Sequence, residues 1–101
     1  MSVDLIEEAA YRFAMLGDPT RLRILHALME SGELSVGSVA QKVKTSRFNA
    51  SAHLNRLAQA GLVARRRERS TVYYRVDDAN LPAVCNWICE SLMTRARSLT
   101  A

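Results

Sequence analysis

With 101 residues, 49% of them hydrophobic and 24% charged, the chain reads as one domain, residues 1–101, near the size at which a single core is adequate but not generous. That composition excludes a disordered tail, and no apolar run approaches the roughly 20 residues needed to span a bilayer. The formal net charge of +4 hides an asymmetry: residues 42–75 hold nine Lys and Arg against Glu68 alone, whereas the remaining residues hold five bases and nine acids. A positive segment on an acidic body is the electrostatic footprint of a polyanion partner, and a merely solvated face does not explain such segregation. Met1 to Ala10 carries acids rather than a basic region followed by a long apolar stretch, so no secretory signal is expected and a cytoplasmic location is.

In chain order, Leu5, Ile6, Ala9, Ala10, Phe13 and Leu16 fall at helical spacing and predict a helix from Val3 to Leu16, ended by Gly17. Its broad apolar stripe can pack on the same domain or on a partner subunit. Asp18 can cap the next helix and Pro19 suits its first position. That helix runs to about Ser31 with Leu22, Ile24, Leu25, Leu28 and Met29 inward, and Gly32 ends it. A short extended piece, Glu33 to Leu34, precedes a helix from Val36 to Val43, capped by Ser35, with Val36, Val39, Ala40 and Val43 inward. Lys44 and Thr45 form a tight turn, and Ser46 or Thr45 caps a helix from Arg47 to about Ala60.

In that helix Ala50, Leu54, Leu57 and Ala58 follow core spacing, which places Phe48, Asn49, Ala52, Asn55, Arg56 and Gln59 on the opposite face. Gly61 closes it in a left-handed cap. Leu62 to Arg67 and Thr71 to Val76 read as strands of a hairpin with Glu68, Arg69 and Ser70 at its tip. A last helix, from about Ala79 to Leu99, presents Leu81, Val84, Ile88 and Leu92, with Cys85, Cys89 and Met93 widening the stripe. Trp87 is expected to be partly buried.

A short helix followed by an arginine-rich hairpin is the order of a winged helix-turn-helix, mainly α with a β-hairpin wing. A helix that reads DNA exposes polar side chains in its N-terminal half, where it reaches base edges in the major groove. The candidates there are Ser46, Arg47, Phe48, Asn49, Ser51 and Ala52. Arginine can bond guanine bidentately, asparagine can do so to adenine, and an apolar group can rest on a thymine methyl. Asn55 and Arg56, farther along, are assigned to phosphate, and the arginines from 65 to 69, with Arg65, Arg67 and Arg69 as site residues, to the sugar-phosphate backbone or an adjacent minor groove. Phe48 has two readings: contact with a base methyl, or packing against the preceding helix.

Four segments resemble the ArsR/SmtB family of bacterial winged-helix repressors: Leu16-Gly-Asp-Pro-Thr-Arg-Leu-Arg-Ile-Leu-His-Ala-Leu, Glu33-Leu-Ser-Val-Gly-Ser-Val-Ala, His53-Leu-Asn-Arg-Leu-Ala-Gln-Ala-Gly-Leu-Val and Val72-Tyr-Tyr-Arg-Val. The resemblance covers almost the whole chain. It implies a homodimer built from the first and last helices, which binds partly palindromic double-stranded operator DNA and represses transcription until an inducer lowers DNA affinity. The apolar stripes at both chain ends agree with such a dimer. His53 and His26 read as packing and hydrogen-bonding residues.

Many relatives sense metalloids through a Cys-x-Cys pair at the start of the first DNA-binding helix, where this chain has Ser35 and Gly37. Another subgroup places histidine among zinc ligands on the last helix, which here contains none. That helix instead carries Cys85 and Cys89, whose i, i+4 spacing puts both sulfurs on one face.

An intrahelical disulfide is disfavoured, because a helix holds the two β-carbons farther apart than the roughly 3.8 Å such a bond prefers. Two thiolates could hold mercury or a singly methylated trivalent arsenic, arsenite would need a third, and two pairs meeting across a dimer could hold cadmium or zinc. Three readings stay open for the pair: apolar packing in the dimer seam, sensing of a soft metalloid such as trivalent arsenic, and reversible thiol oxidation. The non-sensing regulator with structural cysteines is thus one alternative. A winged-helix module that binds protein is another, against which the charge segregation counts. Nothing reads as an enzyme: no nucleophile-base set, phosphate-binding glycine loop or paired carboxylates appear, and Ser35 and Ser46 are explained as helix caps.

Overall fold

A computed structural model describes residues 2–100 in the order α1 (Val3–Leu16), α2 (Pro19–Ser31), β1 (Glu33–Ser35), α3 (Val36–Val43), α4 (Arg47–Gln59), β2 (Val63–Glu68), β3 (Thr71–Val76) and α5 (Leu81–Thr100). Met1 and Ala101, the two ends of the expected domain, lie outside the described residues. The helix starts are set by local chemistry. Asp18 Oδ2 accepts from the Arg21 amide at 2.9 Å, Ser35 Oγ from the Ser38 amide at 3.1 Å and Ser46 Oγ from the Asn49 amide at 3.0 Å. Each satisfies one of the amides that a helix start leaves without a partner.

The end of α4 is a Schellman turn: the Leu62 amide donates to the Leu57 carbonyl and the Gly61 amide to the Ala58 carbonyl, both at 3.0 Å. Gly61 has φ +77°, a conformation that costs glycine little and a branched residue much. The turn also buries Leu62 with Leu57, so Leu62 belongs to the cap and β2 begins one residue later than the sequence suggests.

The sheet has three strands in the order β1-β3-β2, one more than the expected hairpin. Glu33 pairs with Arg75, Leu34 with Tyr74 and Ser35 with Tyr73, so the short extended piece before α3 is the outer strand. Three residues are too few to show an alternation in sequence; their pairing with β3 is a long-range event. Glu68 pairs with Thr71, leaving Arg69 and Ser70 as a two-residue tip with Arg69 at φ +56°.

One core joins these elements. Ile24, Leu25 and Leu28 of α2, Val39 and Ala40 of α3, Ala50, Leu54 and Leu57 of α4, and Val63, Tyr74 and Leu81 are buried together. Leu22, expected inward, is 43% exposed. At 100° per residue it stands roughly 110° around α2 from the centre of the Ile24, Leu25 and Leu28 face, beyond the reach of the core. Trp87, expected to be partly buried, is 61% exposed, and Ile88, Leu92 and Met93 are exposed with it. α5 touches the core through Leu81 and Cys85, then leaves it. α1 likewise buries no residue fully, and is anchored by an Arg12 to Asp78 ion pair at 3.1 Å.

Candidate nucleic-acid interface

α3 and α4 meet at a turn made possible by Lys44 in the left-handed region, φ 57° and ψ 53°, whose amide closes back on the Ala40 and Gln41 carbonyls. The close approach of the helices is permitted by Ala40 and Ala50, both buried. With Ala50, Leu54 and Leu57 turned into the core, the first turn of α4 has its other side in solvent, and Arg47, Phe48 and Asn49 are all exposed. Their partners differ. The Arg47 guanidinium lies over Gly37 of α3, its carbon 3.6 Å from where a β-carbon at that glycine would stand. The Asn49 side-chain amide donates to Thr45 Oγ1 at 2.8 Å. Phe48 is 87% exposed, so it does not pack against the preceding helix.

Ser51 and Ala52 are half-buried, whereas Asn55 and Arg56 are exposed. Asn55 Oδ1 accepts from the hydroxyl of buried Tyr74 at 3.1 Å. That bond locks the helix to the central strand and leaves the Asn55 NH2 group to donate outward. Asn55 is therefore a strut as well as a surface donor, a role that depends on a residue 19 positions away and has no local sequence signal.

The wing sorts its arginines by the pleat. Residues paired across antiparallel strands share a face. Arg65 pairs with Tyr74 and Arg67 with Val72, so both lie on the sheet face that packs against α4, beyond buried Val63. Arg66 pairs with Tyr73 and faces the other way. Its guanidinium donates to both Glu33 carboxylate oxygens, at 3.2 and 2.7 Å, and to Glu68 Oε2 at 3.0 Å, and it stacks 4.7 Å above the Tyr73 ring. The Arg66 hydrogen bond holds the Glu33 carboxyl below its usual range. Of the arginines from 65 to 69 expected at the DNA backbone, Arg66 is engaged within the protein, as a brace between β2 and β1. Arg67 Nε donates to the Arg69 carbonyl at 3.2 Å, which steadies the tip, and Arg69 itself is exposed there.

His53 sits half-buried with Nδ1 3.4 Å from Arg21 Nη1, while Arg21 Nε donates to the Met15 carbonyl at 2.8 Å. One arginine so ties the end of α1 and the start of α2 to α4. His26 is surface-exposed and pairs with Glu30 at 2.6 Å.

On α5, Cys85 is half-buried against the core and Cys89, one turn on, is exposed. Burial, and after it the neighbouring Cys89, pushes the Cys85 thiol up from its ordinary value, which disfavours the thiolate that binds soft ions or meets oxidants. Among the described residues no group of three or more His, Cys, Asp or Glu is gathered to hold a metal ion. Nor is any helix long and apolar enough to cross a membrane.

Comparison with known proteins matches residues 16–66 to the model of a helix-turn-helix domain. The chain is 44% identical over 73 residues to an HTH-type transcriptional regulator of Methanocaldococcus jannaschii, a match that covers 71% of this chain and 82% of that protein. Among solved structures, the homodimeric winged helix-turn-helix DNA-binding domain of a possible ArsR-family regulator from Mycobacterium bovis superposes with a TM-score of 0.81 at 29% identity, covering 94% of this chain and 93% of that one. The antimony-specific transcriptional repressor AntR superposes with a TM-score of 0.77 at 29% identity, covering 99% and 87%.

Proposed function

Because the chain belongs to the ArsR family of winged helix-turn-helix transcriptional repressors, we propose a specific division of labour for its binding to operator DNA. Ser46, Arg47, Phe48, Asn49, Ser51 and Ala52 form the part of α4 that enters the major groove. Asn55 and Arg56 meet phosphate at the groove edge, and Arg65, Arg67 and Arg69 hold the flanking backbone. The observation that carries this reading is the link between helix and wing: Arg65 and Arg67 share a sheet face with Tyr74, whose hydroxyl donates to Asn55 of α4, and the start of α4 is exposed. Arg66, tied to Glu33 and Glu68, is left out. Phosphate contacts position a protein and base contacts specify its site, so the helix supplies selectivity and the wing supplies affinity.

We further propose a homodimer through α1 and α5, supported by the exposed apolar residues Val3, Leu5, Ile6 and Phe13 on one helix and Trp87, Ile88, Leu92 and Met93 on the other. Two-fold symmetry sets the two α4 helices one duplex turn apart, about 34 Å, or a multiple of it. The test is selection of duplexes from a random pool by the wild-type protein, followed by binding of the selected duplex and a scrambled one at matched salt. Enrichment of a partly palindromic site with clear preference over the scrambled duplex supports the reading; equal binding contradicts it.

Release by an inducer is assigned to Cys85 and Cys89, the two thiols of the chain, with a trivalent arsenic species or a thiol oxidant as the class of effector. Their shared helix face, the exposure of Cys89 and the likeness to an antimony-specific repressor support it. A second reading, a regulator whose cysteines are packing, is favoured by the half-burial of Cys85 beside Leu81 and by its raised thiol. Operator release titrated with arsenite, methylated arsenic, cadmium and peroxide, in wild type and Cys85→Ser, separates the two. Release by one of them that Cys85→Ser abolishes supports sensing, and no release by any supports packing.

A further inference from the structure

We propose that Phe48 is a methyl reader: its ring covers the 5-methyl group of a pyrimidine in the major groove, so that the protein distinguishes thymine and 5-methylcytosine from the same bases without the methyl. The proposal rests on the assignment of α4 as the helix that enters the groove, and adds to it the chemical group that one side chain recognises.

Phe48 is the most exposed large hydrophobic residue among those described, at 87%. It stands roughly 150° around α4 from the centre of the Ala50, Leu54 and Leu57 face, on the outermost ridge of the helix with Ala52, Asn55 and Gln59. The polar residues beside it are engaged within the protein, Arg47 lying over Gly37 of α3 and Asn49 bonded to Thr45. Phe48 has no such partner, and the next residue on its ridge, Ala52, is small enough to leave the ring room.

An aromatic side chain held in water at the tip of a helix has left its burial for another surface. The surroundings of Phe48 are cationic, with Lys42, Lys44, Arg47 and Arg56 all exposed nearby in the chain, which suits a polyanion and not an apolar protein groove. Apolar wedges that part stacked bases are a minor-groove device. In the major groove the base edges carry hydrogen-bonding groups and one apolar group, the methyl on C5 of thymine. That methyl is what a phenyl ring at this place can recognise.

The experiment uses the duplex selected by the wild-type protein from a random pool, then remade with uracil for thymine, one position at a time, and with 5-methylcytosine for cytosine. Loss of one buried methyl group is expected to weaken wild-type binding about fourfold at one position of each half-site. Phe48→Ala is expected to bind the thymine duplex as weakly as the wild type binds the uracil duplex, and to be indifferent to the exchange. Phe48→Leu keeps an apolar group and retains part of the discrimination. Since Phe48 is solvent-exposed, unchanged far-ultraviolet dichroism is expected for both variants.

Wild-type binding that prefers the selected duplex over a scrambled one, yet ignores uracil at every thymine and 5-methylcytosine at every cytosine, overturns the proposal while leaving operator recognition standing. A full uracil penalty in Phe48→Ala overturns it too. Failure of the pool to yield any enriched sequence overturns the operator reading on which the proposal stands.

Discussion

The middle of this chain and its two ends solve the same physical problem in opposite ways. From α2 to β3 each element turns its apolar face into one shared core, and each helix start has a capping side chain. α1 and α5 have stripes just as apolar, yet leave Val3, Leu5, Ile6, Phe13, Trp87 and Leu92 in solvent. A segment that is complete within one chain and another that is not have different tasks. The closed middle presents a rigid surface, and the open ends need a second copy to bury what they expose.

The sharpest way to break this contrast is to truncate one leucine in each region. Leu54→Ala removes a fully buried side chain beneath the α4 surface and is expected to cost about 2–5 kcal/mol of stability, read by urea unfolding, with DNA binding lost along with the fold. Leu92→Ala is expected instead to spare the fold and weaken self-association. Each copy of the side chain contributes about 1.5–3 kcal/mol if buried and is lost twice in a two-fold dimer, so sedimentation should show the dimer dissociation constant rising about a hundredfold or more. Equal losses of domain stability from both variants would erase the distinction between middle and ends.

A smaller effect separates the two faces of the wing. Arg67→Ala is expected to weaken binding similarly on all sequences and to lower the salt dependence by about one phosphate contact. Arg66→Ala is expected to leave the salt slope unchanged, because Arg66 is engaged with Glu33, Glu68 and Tyr73. Binding isotherms at several salt concentrations check both.

The smallest expected effect is on pH. The Arg21 amide bonded to Asp18, and the Arg66 guanidinium bonded to Glu33, hold both carboxyls below their usual values. A group whose folded value is depressed contributes its stability above the unfolded carboxylate value, roughly 3.9 to 4.3. That contribution is lost as pH falls through the folded value. Urea midpoints measured from about pH 5 to pH 2 should therefore fall with pH, and fall less steeply in Glu33→Gln.

What was legible in the sequence is what depends on near neighbours. The caps at Asp18, Ser35 and Ser46, the left-handed Gly61 and the inward faces of α3 and α4 all follow from residues within one helical turn. β1 was not legible as a strand, because three residues show no period and their partner β3 lies some forty residues on. The brace role of Arg66 was hidden for a similar reason. Alternation tells that Arg66 faces away from Arg65 and Arg67, but not that Glu33 waits there. Leu22 was misplaced because a run of leucines at i, i+3 spacing drifts around the helix, and sequence does not say where the core centre falls. Of the two readings of Phe48, packing against the preceding helix is removed only by its exposure in the fold, and the cysteine pair shows its spacing in sequence but its unequal burial only in the fold.

The function proposed for this protein stands or falls on sequence selectivity conferred by α4. Affinity for the duplex selected by the wild-type protein, against a scrambled duplex of the same length and salt, measures that in one comparison. A preference on the order of a thousandfold or more is predicted, falling when Arg47, Phe48 or Asn49 is replaced by alanine and persisting in ratio when Arg67 is. Equal affinity for the two duplexes, or a preference that survives loss of all three helix side chains, would contradict it.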